Sequence, residues 1–388
     1  MSFPSRAREG AVIAEFIVTQ ERTRVQTITA GYHAVTLPGL GPKTYSLTIC
    51  PDSGGAGDYV EAGRFLREAG AAVLSQRVFT GPGMDAGGID NLMNGAGRAS
   101  WPVTTLVGNG SCPAPMTHTC LEAVSGVLVK PIASGGRLVG ATYEDGGATV
   151  CVLGDLRPRD DSATREEQAR CVFAQLEAAL DAAGMTPDDL VRTWFFIDRI
   201  LEWYGQFNSI RSSVFEEWGL FDRVLPASTG VGSANAAGAA VAANAIAIKP
   251  AGRPLDMIDV VSPLQCPAMQ YRSSFSRAVE VNVGGQRRLY ISGTASIAPD
   301  GSSAHHGDLD RQIALTMDVV KEILRSRGMG WPDVTRGTAY FRDGSQMSAL
   351  ERYYRRHGLP CLPVAVAAAD ICRDDLLFEI EVDAAATV

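Results

Sequence analysis

Histidine is scarce in this chain, with five in 388 residues, and no HExxH or comparable ligand spacing occurs. A metal site is therefore not implied. The eight cysteines, at 50, 112, 120, 151, 171, 266, 361 and 372, contain no CxxC pair. In a chain of this length they point to reduced thiols and a cytoplasmic protein. No GxGxxG stands between a strand and a helix, and PGLGPKT at 38–44 lacks the spacing of a phosphate loop, so no nucleotide cofactor is expected. No recognised motif assembles a Ser/His/Asp set. The N-terminal MSFPSRAREG has no apolar signal segment. The blandest apolar stretch, 234–248, is mostly alanine broken by Asn235, Gly238 and Asn244, too short and too weakly apolar for a membrane span. Basic charge is also in deficit: 35 Lys and Arg face 43 Asp and Glu, a net charge of -8. That weighs against a nucleic-acid partner but leaves room for a small anionic metabolite, because a few arginines can dominate one pocket.

What the chain does have is length and an internal repeat. At 388 residues with 46% apolar content, it exceeds the size at which one core keeps growing, so two or three domains are expected. One unit contains GGRLVGAT (135–142), a helical stretch at 165–185, TPDDLVRTWFFI (186–197), YGQFNSIRSSVF (204–215) and LPAST (225–229). A later unit repeats this order with RRLYISGTA (287–295), a helical stretch at 311–329, GWPDVTRGTAYF (330–341), MSALERYYRRH (347–357) and LPCLP (359–363). Ile313, Met317, Val320 and Leu324 recur at helical spacing, with Asp318, Lys321 and Arg325 between them. Both helical stretches end in Gly-Met, at 184–185 and 328–329, where glycine can take the left-handed cap conformation. Arg192 and Arg336 each follow that glycine by eight positions. A strand-like YSLTI (45–49) before a helical stretch at 59–72 suggests a degenerate third copy. The glycine-rich 81–97 reads as a loop, and 249–264, with three prolines, as a linker.

The sharpest chemical pattern is C-terminal. Strand alternation over 376–382 puts Glu379 and Glu381 on one face and Phe378, Ile380 and Val382 on the other. The bland reading is a solvated face; the sharp one is a general acid in a partly apolar cleft. Cys372, at the edge of this strand, reads as a small buried apolar residue or as a site residue. Tyr271, Arg272 and Arg277 in YRSSFSRA could clamp a carboxylate. Arg192, Trp194, Tyr204 and Arg211 form a second group; Tyr204 and Arg211, seven apart, share a helical face and could address a pocket or merely a neighbouring domain.

The repeated unit resembles the RidA/YjgF fold, a trimeric α/β architecture with ligand pockets between neighbouring units. The fold class implied is α/β (α+β), with tandem RidA/YjgF-like units in a pseudo-trimeric arrangement, as a monomer or homodimer. The units would be a degenerate or family-specific 1–125, a second at 126–250, and a third at 258–388 carrying the candidate acid. VRTWFFIDRI with YGQFNSIR (191–211), LPASTGVG (225–232), SFSRAVEV with LYISGTASI (274–297) and CRDDLLFEIE (372–381) together resemble the chorismatases, which remove the enolpyruvyl group of chorismate. The resemblance implies that Glu379 protonates the enolpyruvyl methylene, with pyruvate leaving and no cofactor. Cysteine at 372 resembles the branch making 3-hydroxybenzoate; alanine there resembles the branch making a dihydroxycyclohexadiene carboxylate. The chain departs from the family at SPLQCPAMQYR (262–272), where a tyrosine- and proline-rich block is usual. The carboxylate-binding arginine of RidA is replaced by Ser228 and Val364. The alternatives are a diverged RidA-superfamily enzyme acting on another secondary metabolite, and a non-catalytic binding or scaffold protein.

Overall fold

A computed structural model describes residues 25–29, 31–38, 41–50, 56–81, 100–109, 111, 117–271 and 273–388. Residues 82–97 of the glycine-rich stretch, and Arg272, lie outside the described residues. Three mixed sheets carry the chain. The first runs β1 (Val25–Ile28), β2 (Tyr32–Pro38), β3 (Lys43–Ile49), β6 (Thr117–Ser125), β4 (Ala72–Thr80) and β5 (Val103–Val107), with the short β12 (Ala234–Asn235) added at its end. The second runs β7 (Lys130–Ser134), β8 (Arg137–Asp145), β9 (Ala148–Leu156), β13 (Val241–Pro250), β10 (Leu190–Ile197) and β11 (Ala227–Val231). The third runs β14 (Met257–Val260), β15 (Ala278–Val283), β16 (Gln286–Ala295), β19 (Phe378–Thr387), β17 (Val334–Phe341) and β18 (Val364–Ala368).

The three sheets share one strand order, with a single parallel pair each: β4–β5, β10–β11 and β17–β18. They also share one irregularity, a register shift at the same place in the strand before that pair. It falls between Val73 and Ser75, Leu190 and Arg192, and Val334 and Arg336. Such bulges re-aim side chains and mark designed positions. Counting from the bulge aligns His118, Ala242 and Glu379, which stand opposite Phe79, Phe196 and Tyr340.

The helices form where the apolar spacing and caps place them. In α2 (Arg165–Ala182) Thr164 and Glu167 make a reciprocal capping box, and Gly184 closes the turn at φ 70°. In α4 (Leu309–Ser326) Asp308 accepts from the amide of Arg311, and Ile313, Met317, Val320 and Leu324 are buried. The α1 (Ala56–Glu68), α2–α3 (Ile200–Glu217) and α4–α5 (Ser348–His357) layers cover the outer faces of the three sheets in turn. The inner faces pack on each other, with Leu74 and Phe79, Val191 and Trp194, and Val279 and Tyr340 in one core. Thr104 to Asn244 (2.8 Å) and Thr48 to the Pro363 carbonyl (3.2 Å) tie the first sheet to the other two.

The linker expectation needs correction. Within 249–264, Met257–Val260 is β14, because it pairs antiparallel with β15, and the turn at Ala251–Asp256 is what connects the second and third sheets. Among the described residues, no helix is long and apolar enough to cross a membrane.

Candidate functional site

Strand β19 runs through the middle of the third sheet, with α4 on one face and the neighbouring sheets on the other. Phe378, Ile380 and Val382 enter the helix-facing core, and Glu379, Glu381 and Asp383 point the other way, toward the neighbouring sheets. This face is not solvated: Glu379 is 4% and Glu381 2% exposed. The edge of β11 is stitched to the third sheet here. The amide of Ser276 donates to the Pro226 carbonyl (3.2 Å) and the Ser292 hydroxyl meets the Ser228 amide (2.9 Å). Between these walls lies a cleft of about 170 Å³. Tyr204, Asn208 and Arg211 line it from α3, and Arg277, Arg373 and Glu379 from the third sheet and the segments beside it.

Glu381 sits two residues along and in a different environment. Arg192 donates to it at 2.7 Å and Arg77 at 3.1 Å; the Trp194 indole donates at 2.5 Å and the Thr229 hydroxyl at 2.6 Å. The Trp194 ring lies within 4.4 Å of the Arg77 and Arg192 guanidinium carbons and 4.8 Å of that of Arg336. Arg336 in turn bonds Asp383 and, at 2.6 Å, Glu122. Thus a carboxylate from the third sheet is clamped by one arginine from each of the other two. A charge buried with this many donors stays ionised.

The two glutamates are pushed apart in acidity. Burial, then the neighbouring charge of Glu381, pushes the Glu379 carboxyl up to about 8, against the opposing pull of Arg192 and Arg277. Burial also works to raise Glu381, but Arg192, Arg77 and Arg336 overcome it and hold this carboxyl down to about 2. The pair therefore offers one proton donor and one fixed anion at neutral pH, the pattern by which paired carboxylates divide acid and electrostatic roles. Burial also pushes the Tyr204 phenol and the Cys372 thiol up to about 12, so both are neutral donors.

Two family models match the chain. One, described as chorismatase FkbO/Hyg5-like, N-terminal, matches residues 130–245; the other, endoribonuclease L-PSP, matches 267–386. A 3-hydroxybenzoate synthase from Streptomyces hygroscopicus is 27% identical over 272 residues, covering 62% of this chain and 75% of that protein. A chorismatase from Streptomyces rapamycinicus is 29% identical over 217 residues, covering 50% of this chain and 63% of that protein, less than two thirds of its length. The crystal structure of a chorismatase superposes with a TM-score of 0.60 at 19% identity, over 87% of this chain and 98% of that one, a likeness of fold. By these matches the chain is similar to the chorismatases, on a RidA/YjgF-like fold.

The cleft gathers Glu379, Cys372, Arg277, Arg211 and Tyr204 from the sequence-derived candidates. Trp194 does not line it; the inward face of β10 puts its ring among the arginines beneath Glu381. Tyr271 ends a 3-10 turn at Ala268–Tyr271, and Arg272 lies outside the described residues. Among the described residues no cluster of His, Cys, Asp and Glu is placed to hold a metal ion. Several lining residues escaped the sequence reading: Asn208, Phe275, Gly293 and Arg373. Arg373 adjoins Cys372 and carried a signal in that adjacency. The equal spacing of Arg192 and Arg336 was visible, but their carboxylate partners, Glu381 for the first and Asp383 with Glu122 for the second, were not.

Proposed function

We propose that the chain acts as a chorismatase, taking the enolpyruvyl group from chorismate or a close relative and releasing pyruvate and a hydroxybenzoate. The observation that carries this reading is the buried, proton-retaining carboxyl of Glu379 in a cleft also lined by Arg211, Arg277 and Arg373. The units are taken as 1–125, 126–250 and 258–388, in a pseudo-trimeric arrangement. The shared strand order and the repeated bulge support it.

A dianion needs cationic donors, and the guanidinium groups of Arg211 and Arg277 supply them, holding its carboxylates. Glu379 donates its proton to the methylene carbon of the enol ether, forming the new C–H bond of a methyl group. The ether carbon becomes oxocarbenium-like. The anionic Glu379 left behind stabilises that cation, and Glu381, locked by its arginines, adds negative potential without competing for the proton. Capture by a substrate hydroxyl, which gives up its proton, forms a cyclic ketal. One ring C–O bond and the other oxygen's bond to the ketal carbon then break, so that one oxygen leaves as the pyruvate carbonyl and the other stays on the ring. Loss of a ring C–H proton restores aromaticity. One chorismate then gives one pyruvate and one hydroxybenzoate with no net consumption of water, and the proton returns to Glu379. The proton is the only electrophile this route requires, so no cofactor enters it. Cys372, as a neutral thiol, contacts the ring and biases the outcome toward the aromatic product.

The test is pyruvate release and product mass with chorismate, beside Glu379→Gln. Enzyme-dependent pyruvate that disappears in the variant supports the acid; no turnover and no binding of chorismate removes the assignment.

A further inference from the structure

A second cavity, of about 460 Å³, lies directly beside the cleft of Glu379 and shares Phe275 and Arg277 with it. It is built where the second unit hands over to the third. One wall is the 3-10 turn Leu220–Asp222 with Val224 and Leu225; the other is Val261, Pro267 and Met269. Its floor is the seam at which Ser276 meets Ala227. Six large apolar side chains are exposed among the described residues, and three of them line this one cavity: Phe221 (38%), Val261 (63%) and Met269 (49%). Exposed apolar groups scattered singly need no explanation, but their convergence on a concavity does.

The two volumes differ in what they can take. A cavity of about 150 Å³ accommodates one six-membered ring, which matches the 170 Å³ beside Glu379. The adjoining 460 Å³ is in the range of a small-molecule site in its own right. Arg277 faces both, with its Nε bonded to the Cys266 carbonyl at 3.0 Å and its guanidinium 5.9 Å from the Phe275 ring. A carboxylate at Arg277 is therefore placed where its carrier can extend into either space. Asp222 and Asp259 in the lining disfavour a second anionic group in the larger one, and the further cation there, Arg223, is paired with Asp188 at 3.0 Å.

We propose that this cavity is a second subsite of the Glu379 cleft, taking an uncharged apolar group, aromatic or alicyclic, attached to a carboxylate-bearing ring. The proposal rests on the reading of the cleft as an anion site and adds to it the class of substituent. Among the substrates proposed above, the subsite would favour a close relative of chorismate that carries such an apolar extension on its ring.

Calorimetric titration of the full chain with benzoate and with 3- and 4-benzyloxybenzoate tests it. At least one extended acid should bind about tenfold tighter than benzoate, the added ring being buried apolar surface. Val261→Asp and Met269→Asp, both at exposed positions, should abolish that gain and leave benzoate binding unchanged. Benzoate binding with no gain from either extension, or a gain that survives both variants, overturns the subsite alone. Failure of all three acids to bind overturns both the subsite and the anion-site reading beneath it.

Discussion

The carboxyl of Glu379 occupies the space beside Gly293 that any other residue would fill. A Cβ built on Gly293 would lie 2.0 Å from Glu379 Oε1, and 3.2 Å from Cγ2 of Thr229, the residue whose hydroxyl holds Glu381. Glycine is used here for close approach, not for an unusual backbone angle. Gly293→Ala should therefore leave the fold intact and displace the acid. A misplacement on the order of 1 Å costs about a hundredfold in rate. Turnover of chorismate by the folded variant, checked by circular dichroism, should fall by that amount with KM little changed.

The pH profile follows from the same carboxyl. With its acidity at about 8, kcat/KM should be flat through neutrality and decline tenfold per pH unit well above that value. The same shift has a consequence for stability. Between the ordinary carboxyl range and about pH 8, Glu379 keeps its proton when folded but loses it on unfolding. The unfolded state thus binds fewer protons, and this group's contribution falls as pH rises from about 4.5 to about 8. Glu379→Gln should unfold at higher urea than the parent at pH 8, with the difference vanishing below pH 4. Equal midpoints at both pH values would contradict the burial argument.

Removing the fixed anion should be far more damaging. Glu381→Gln leaves the Arg77, Arg192 and Arg336 guanidiniums crowded around Trp194 without the carboxylate that two of them bond directly. Breaking a buried pair costs about 3–5 kcal/mol, readable as a lowered denaturation midpoint. In whatever fraction stays folded, Glu379 loses a neighbouring negative charge, so the upper limb of the pH profile should move down.

For Cys372, neutral because burial holds its thiol at about 12, a nucleophilic role is disfavoured. Cys372→Ala should keep pyruvate release within about tenfold of the parent. The accompanying product should change from a hydroxybenzoate toward a dihydroxycyclohexadiene carboxylate, as mass spectrometry would report. Loss of pyruvate altogether would place the thiol in the proton-transfer step.

What the sequence disclosed was mostly local. Helices α2 and α4 stand out because apolar spacing and a terminal glycine are both written within one stretch of chain. The alternation that puts Glu379 and Glu381 on one face is equally local. Whether that face is wet is not, because the answer lies in Arg77 and Arg192 on other sheets. Trp194 illustrates the same limit: its strand was legible, but which of two buried faces its ring entered depended on the sheet opposite. The first sheet was faint for another reason. Its strand order matches the others, yet Ser75 stands where Arg192 and Arg336 stand, and His118 where Glu379 does, so the side chains that would betray the repeat have changed.

The cleft takes Tyr204 and Arg211 from one side and Arg277 and Glu379 from the other, and both sides belong to a single chain joined through the turn at Ala251–Asp256. Two walls tethered in this way face each other at a fixed effective concentration. Dilution cannot take the site apart, and specific activity should hold constant as the protein is thinned to levels at which separate subunits would drift apart. Covalent linkage also makes every substitution singular: a change at Glu379 has no echo at His118 or Ala242, so each interface can drift on its own course.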